Sequence, residues 1–390
     1  MRKFETADAL KRLPEQYFVK LTNKIGRAMA SGFDIINLGQ GNPDQPTPPH
    51  IVKELQQAAE QPKYHRYPPF QGYRFLKEAV SRFYQSQYGV EIDPDKEVAV
   101  LFGGKAGLVE ISQCFLNPGD VALVPDPGYP DYWSGVLMAG GRMHMMPLTR
   151  ENGFLPDYGQ IAADVWKQAK LMFLNYPNNP TGALAPASFF EETVRLAEKH
   201  HVLVVHDFAY AAIGFDGNKP RSFLETPGAK QVGVEIYTMS KTYNMAGWRI
   251  GFAIGNEEVI QAINLIQDHF YCSLFGGIQK AAAAALTGSQ KCVRDLADMY
   301  EQRRDVFISG LREIGWNVEA PGGSFFCWLK VPDGYSAESF SDLLLERAHV
   351  AVAPGIGFGK QGRHYVRAAL LTSEERLQEA ARRIGELKIF

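Results

Sequence analysis

The sequence predicts an α/β protein, with a large domain of mainly parallel sheet between helices and a smaller α+β domain. Three observations carry that prediction. From Glu97 to Gly255, short apolar runs (VAVLF, VALV, LMFL, VLVV, IYTM) alternate with stretches whose apolar positions recur at helical spacing, as strands buried on both faces between helices require. Beyond about Asn317 the order changes to strand, helix, strand, strand, helix. The chain has 390 residues, 45% of them hydrophobic, more than one usual domain needs and enough for a substantial core.

Composition excludes several classes. The net charge is −2, from 41 basic and 43 acidic side chains, so no global field recruits nucleic acid or an anionic membrane. The 4 cysteines (Cys114, Cys272, Cys292, Cys327) show no CxxC and no metal-ligand spacing, and read as reduced packing residues. No apolar core of a leader peptide, no membrane-length apolar run and no repeat is visible. The expectation is a cytoplasmic enzyme acting on small molecules, with no metal.

In order, the first predicted element is a helix over Gln16 to Ser31, with Phe18, Leu21, Ile25 and Met29 on one face. A short strand, Ile35 to Leu38, runs into Gly39-Gln40-Gly41-Asn42-Pro43, where the glycines permit either a close approach to a ligand or a plain tight turn. PKYHRYPPFQGY, residues 62–73, is an aromatic, proline-containing loop that caps a core or forms an interface; the helix Arg74 to Tyr88 follows it.

Next come the strand Val98 to Phe102, the turn Gly103 to Gly107 and the helix Leu108 to Leu116. Backbone N–H groups at that turn, with the positive end of the helix, make an anion site. A nicotinamide fold is weighed and set aside. Asp126 lies near the spacing of a ribose-binding acid, but the glycines run G-G-x-x-G and Asp126 precedes Pro127-Gly128. An aromatic at the end of the strand Val121 to Val124 can stack on a flat heteroaromatic ring; Tyr129 is the candidate by its place in the motif, while Tyr132 and Trp133 read as packing residues of the next helix.

Further strands are predicted over Arg142 to Pro147, Lys170 to Leu174 and Val202 to Val205, with helices near Tyr158 to Gln168 and over Ala187 to His200. Asp207 ends the run VLVVHD, where an unpaired carboxylate is expensive and a pyridinium N–H would remove the cost; the alternative is an N-cap of the next segment. The stretch EIYTMSKTYNMAGWRIGFAIG, residues 235–255, holds Lys241 between two apolar runs. Desolvation lowers a lysine pKa, so Lys241 is placed like an imine-forming lysine, and Arg249, Thr238 and Ser240 suit phosphate oxygens. An amine of that kind beside a phosphate site suggests pyridoxal phosphate. The strand Arg249 to Ile254 is expected to close the sheet.

Helices follow over Glu257 to His269, Ile278 to Leu286 and Lys291 to Ile314, the last long enough to bridge two domains. The smaller unit contains strands Phe325 to Leu329, Val350 to Ala353 and His364 to Ala369, with helices Ala337 to Arg347 and Ser373 to Leu387. Arg367, amid apolar neighbours, either binds a carboxylate in bidentate fashion or pairs with Glu374 or Glu375.

Ser240-Lys241 followed by Gly247-Trp248-Arg249-Ile250-Gly251 resembles the lysine signature of the class I/II pyridoxal-phosphate-dependent aminotransferases of fold type I. Gly104 to Ala106, Asn179 in N-P-T-G, Asp207 with Tyr210, and Arg367 fall in the same family order, and the resemblance covers nearly the whole chain. It implies a large cofactor domain over 46–285, and a small domain made of 1–45 and 286–390. By that resemblance Gly104, Lys105 and Ala106 give backbone N–H groups to the phosphate, and Asn179 and Tyr210 bond the cofactor's phenolic oxygen. It also implies that Asp207 partners the ring nitrogen, while Gly41 and Arg367 contact the substrate carboxylate. Tyr67, with Tyr64 as the alternative, would reach the phosphate of a partner subunit in a homodimer.

The reaction expected is ping-pong transfer of an amino group between amino acids and 2-oxo acids. LGQGNPDQPTP, FGGKAGLVE, DPGYPDYWSG and YPNNPTGA are most similar to the aminotransferases of bacterial methionine salvage, which implies 4-methylthio-2-oxobutanoate as acceptor. Tyr17, Phe18, Tyr64 and Phe70 suit such an apolar thioether as well as an aromatic side chain, and no second arginine for a dicarboxylate is identified. A C–S β-lyase and an aspartate or aromatic aminotransferase are the alternatives. No basic helix-turn-helix pattern supports a DNA-binding regulator.

Overall fold

The computed structural model describes residues 4–14 and 17–390. Its strands in chain order are β1 (Ile36–Asn37), β2 (Val98–Leu101), β3 (Val121–Asp126), β4 (Arg142–Pro147), β5 (Ala169–Asn175), β6 (Leu203–Asp207), β7 (Gly233–Thr238), β8 (Gly251–Gly255), β9 (Phe326–Lys330), β10 (Val350–Ala351), β11 (Ala353–Pro354) and β12 (Tyr365–Ala369). A 7-stranded sheet has the order β2-β8-β7-β6-β5-β3-β4. Strands β3 to β7 pair in parallel, whereas β8 is antiparallel to both β7 and β2.

That order corrects one expectation. β8 does not close the sheet but lies inside it, and β2 is the edge. Only the turns Met239–Thr242 and Ala246–Trp248 separate β7 from β8, too little helix for a crossover, so the chain folds back antiparallel. Arg249 likewise stands outside the strand, in the left-handed region at φ 57°.

The continuous apolar runs are explained by burial on both sides. Along β5, Leu171 and Phe173 join one apolar layer with Ala122, Val205, Ile236 and Leu108, while Met172 and Leu174 join the opposite layer with Leu123, Val204, Tyr237 and Phe190. Alternate residues feed opposite faces, as a pleated strand requires. The helices Arg74–Tyr88 and Ala187–His200 have the predicted bounds.

The N-terminal helix runs Tyr17–Ala30; the expected start at Gln16 and the Tyr17 side chain lie outside the described residues. Leu21 and Ile25 are buried, but Met29 is exposed, contrary to the predicted face. The small unit has the antiparallel order β11-β12-β9, and β1 pairs in parallel with β10. The single strand expected over Val350 to Ala353 is thus two, serving different sheets. The helix expected to Arg347 stops at Leu343 and continues as a π turn, Leu344–Ala348.

The helix Lys291–Glu313 is about 35 Å long. Two adjacent buried arginines fasten it. Arg303 makes a bidentate pair with Asp44 at 2.9 and 2.8 Å, and Arg304 a second with Asp216 at 2.7 and 2.8 Å. Asp44 follows the Gly39–Gly41 segment, so this helix anchors the strap that borders the cavity described next.

Candidate active site

The parallel strands β5, β6 and β7 end side by side, which brings Asn175, Asp207 and Thr238 to one edge of the sheet. Crevices of open α/β sheets form outside such carboxyl ends. A cavity of about 570 Å³ lies there. Gly41, Gly104, Lys105, Tyr129, Asn179, Asp207, Tyr210, Thr238, Ser240, Lys241, Arg249 and Arg367 all border it, although they are drawn from most of the chain. Ala106 does not reach the lining, and Tyr67 stands 89% exposed, away from it.

One end of the cavity is a cradle of donors. The helix expected from Leu108 begins at Gly104, so Lys105 and Ala106 form its first turn, preceded by Gly103 at φ 82° without a side-chain cap. First-turn N–H groups have no partner within their own helix. Thr238 Oγ1 and Ser240 Oγ are 3.0 Å apart beside them. The Arg249 guanidinium packs so closely that a Cβ on Gly103 would lie 2.6 Å from its Nη2. Its Nη1 donates to Ala246 O at 2.8 Å, which aims the group across the turn. The Lys105 side chain points elsewhere: its Nζ pairs with Asp131 at 2.9 Å. A cation, two hydroxyls and free N–H groups form a donor set suited to phosphate.

Lys241 Nζ donates to Gly41 O at 3.0 Å. Burial, then the charges of Arg367 and Arg249, bring its amine down to about 8, with Asp207 opposing. Burial raises the Asp207 carboxyl to about 6, against hydrogen bonding from Tyr132 and the charges and N–H around it. No helix follows Asp207, which removes the N-cap alternative. Asn175 secures the strand end by donating from Nδ2 to Asp207 O at 2.7 Å and accepting from Asn179 N–H at 2.7 Å.

Arg367, fully desolvated, donates from Nη1 to Asn179 Oδ1 at 2.9 Å and from Nη2 to Gly39 O at 3.2 Å. It makes no ion pair among the described residues, so the pairing with Glu374 or Glu375 is not formed. Its Nε is buried without a partner among the described residues, and its Cζ lies 3.9 Å from the Phe326 ring centre and 4.6 Å from that of Phe358. Burial lowers it to about 10. A desolvated guanidinium that borders a cavity and has no ion-pair partner among the described residues is a receptor for a carboxylate.

Sequence reasoning missed several contributors. Tyr132, read as packing, is wholly buried and donates its hydroxyl to Asp207 Oδ2 at 2.8 Å. Leu21 of the N-terminal helix and Phe326 supply an apolar wall beside Phe18, which was expected to meet the substrate; Tyr64 and Phe70, expected with it, do not border the cavity. The two tyrosines and one tryptophan crowded into DPGYPDYW were the available signal for Tyr132; the aromatic Phe18 pointed to the N-terminal helix, and nothing local indicated Leu21. The residues fit pyridoxal phosphate: a phosphate cradle, an amine brought down to about 8 and a buried carboxylate face one space.

Comparisons with known proteins bear on the family and the fold. The family described as aminotransferase class I and II matches residues 34–384. The L-glutamine–4-(methylsulfanyl)-2-oxobutanoate aminotransferase of Bacillus subtilis (strain 168) is 62% identical over 388 residues, covering 100% of this chain and 98% of that one. An LL-diaminopimelate aminotransferase of Moorella thermoacetica is 46% identical over 380 residues, 97% of each chain. Among solved structures, substrate-bound BacF from Bacillus subtilis superposes with a TM-score of 0.96 at 49% identity, over 100% of this chain and 98% of that one.

Proposed function

This chain belongs to the class I and II aminotransferases, and on that premise we propose that it transfers the amino group of glutamine to 4-methylthio-2-oxobutanoate, forming methionine. The observation that carries the substrate reading is the cavity wall. Its side-chain cations are Lys105, Lys241, Arg249 and Arg367 among the described residues. Lys105 is held by Asp131, Lys241 is the amine read as forming the imine, Arg249 belongs to the cradle and Arg367 suits the α-carboxylate. None is left for a distal acid, and Phe18, Leu21 and Phe326 offer apolar surface to a thioether instead. The 62% identical relative named for that acceptor points the same way.

The family implies pyridoxal phosphate, which, when bound, supplies an aldehyde that carries amino groups and a ring that takes up the electron pair released at the substrate Cα. In our reading the first-turn N–H groups of Gly104, Lys105 and Ala106, with Thr238, Ser240 and Arg249, bind its phosphate. Asp207 holds the proton on the ring nitrogen. Asn179 and Tyr210 hydrogen-bond the phenolic oxygen, and Tyr129 covers one face of the ring. Lys241 would hold the aldehyde carbon until the amino group of the donor displaces it there, and its released amine, brought down to about 8 by burial, would move the proton at Cα. Arg367, with Gly41, orients the carboxylate so that the Cα–H bond faces that amine.

A homodimer in the cytoplasm completes the proposal, with domain bounds of 46–285 against 1–45 and 286–390. Tyr67 is 89% and Phe70 54% exposed on one loop, an arrangement that suits cover by a second copy. Tyr64 is instead packed in its own subunit, edge-on to Tyr73 at 5.6 Å, which favours Tyr67 as the crossing residue.

The test is a panel of 2-oxo acids with glutamine as donor, reading product amino acid. Methionine formation should exceed aspartate formation from oxaloacetate by at least about tenfold. Preference for oxaloacetate would overturn the substrate reading. Lys241→Ala should abolish turnover, by about four orders of magnitude; retained steady-state transfer would remove Lys241 from its role.

A further inference from the structure

The geometry points to Tyr132 as a positioning residue for Asp207: its phenol fixes the carboxylate that holds the cofactor's ring nitrogen, although Tyr132 borders neither cofactor nor substrate. The inference rests on the reading of Asp207 given above.

Tyr132 is the second residue of the helix Asp131–Met138, immediately after the turn that presents Tyr129. Packing determines its direction. Its ring stacks on Phe173 of β5 at 5.0 Å and 13°, and meets Tyr129 edge-on at 5.8 Å and 82°. It does not border the cavity. A buried phenol needs a partner, and this one reaches Asp207 Oδ2 at 2.8 Å.

From the carboxylate's side the contact matters more. Lys241, His206, Tyr129 and Tyr210 all act on Asp207 through their charge or polarity, but none of them donates a hydrogen bond to it. Among the described residues it forms no ion pair, since Lys241 Nζ goes to Gly41 O. Tyr132 is the one side-chain donor, joined by the Ala209 N–H. A charge-assisted bond of this kind stabilises the ionised carboxylate and restricts its rotation, leaving the remaining lone pairs aimed into the cavity. Tyr132 therefore joins the ring-stacking turn to the ring-nitrogen partner as one rigid unit.

The test compares Tyr132→Phe with two other variants. Cofactor-free protein is titrated with pyridoxal phosphate by absorbance to obtain Kd, and kcat and KM are measured on the loaded enzyme. Tyr132→Phe keeps the stack on Phe173 and should raise the cofactor Kd and lower kcat, each about tenfold, with KM nearly unchanged. Tyr158→Phe is the structural control. Tyr158 is also buried and stacked, on Phe189 at 5.5 Å, with its hydroxyl 2.7 Å from Thr193, but neither of these partners borders the cavity. It should leave Kd within twofold. Asp207→Ala should weaken cofactor binding more than either.

An unchanged Kd and kcat in Tyr132→Phe, with Asp207→Ala impaired, would overturn the role of Tyr132 alone. Equal losses in Tyr132→Phe and Tyr158→Phe would overturn it as well, by making the effect one of packing. Wild-type Kd in Asp207→Ala would remove the underlying reading of Asp207.

Discussion

Asp207 and Glu235 are buried carboxylates on the adjacent strands β6 and β7, where Glu235 is paired in register with His206 and Asp207 with Ile236. Their surroundings differ in one respect. Glu235 Oε1 accepts from Tyr84 at 2.7 Å and Ser222 at 2.8 Å, and Oε2 from Phe223 N–H and His206 Nδ1, both at 2.8 Å. His206 is equally occupied, because its Nε2 accepts from Tyr176 N–H at 3.3 Å. Asp207 receives one phenol and one backbone N–H, and opens on the cavity. A buried carboxylate whose acceptor positions are filled by its own chain holds structure together; one with capacity left over is available to a ligand.

The sharpest way to break this distinction is Glu235→Gln. One acceptor oxygen becomes an NH₂ group facing two donors, a loss of about 3 kcal/mol or more. Urea unfolding should show that loss, while the fraction that remains folded keeps kcat within twofold. Reduced turnover at full stability would place Glu235 in the chemistry and erase the contrast.

Asp207 should behave in the opposite sense. Without cofactor its folded pKa is about 6, above the ordinary 3.8. Between those values the native state binds more protons than the unfolded one, so the group's contribution to stability is fully present below about pH 4 and lost as pH rises through 6, by about 2–3 kcal/mol. Cofactor-free Asp207→Asn should therefore be the more stable protein at pH 7.5, and the gap should close towards pH 4. A gap independent of pH would show that desolvation of the carboxylate is not its origin.

The same contrast explains what was legible in the sequence. Asp207, Lys241 and Arg367 stand out because a charge amid apolar neighbours is a physical contradiction that some partner must resolve. Glu235 sits in the equally apolar GVEIYT and posed the same problem, yet its partners come from Tyr84, His206 and Ser222, far apart in the chain. No local spacing distinguishes a contradiction resolved within the fold from one left for a ligand. Tyr132 was hidden for the opposite reason, since an aromatic on an apolar helix looks like core whether or not its hydroxyl is used. The strand and helix alternation was readable because strands buried on both faces give short continuous apolar runs while the helices between them keep apolar positions at helical spacing. The position of β8 inside the sheet was not, because pairing order is a tertiary property.

Arginines extend the comparison. Arg303 spends its guanidinium on Asp44 and Leu370 O, while Arg367 keeps Nε unpartnered. Arg367→Lys removes a planar fork that also donates to Asn179 and Gly39 and lies against Phe326. KM for amino acids should rise about 30-fold, roughly 2 kcal/mol, with little change for an amine that lacks a carboxylate. Equal losses for both substrates would mean that the fork supports the fold rather than the ligand.

Lys105 gives the smallest expected effect and tests the rule at the cavity itself. It borders the cradle, so position alone would make it a phosphate ligand, but its ammonium is 2.9 Å from Asp131 and its side chain is 54% exposed. Half-exposed pairs contribute at most about 1 kcal/mol. What Lys105 offers in our reading is its backbone N–H in the first helical turn, which Lys105→Ala retains. Cofactor Kd measured by absorbance titration should therefore change less than about threefold, at low and high salt alike. A tenfold or larger loss, relieved by salt, would show that the ammonium leaves Asp131 for the phosphate, and that an occupied donor can still serve as a ligand when a stronger anion arrives.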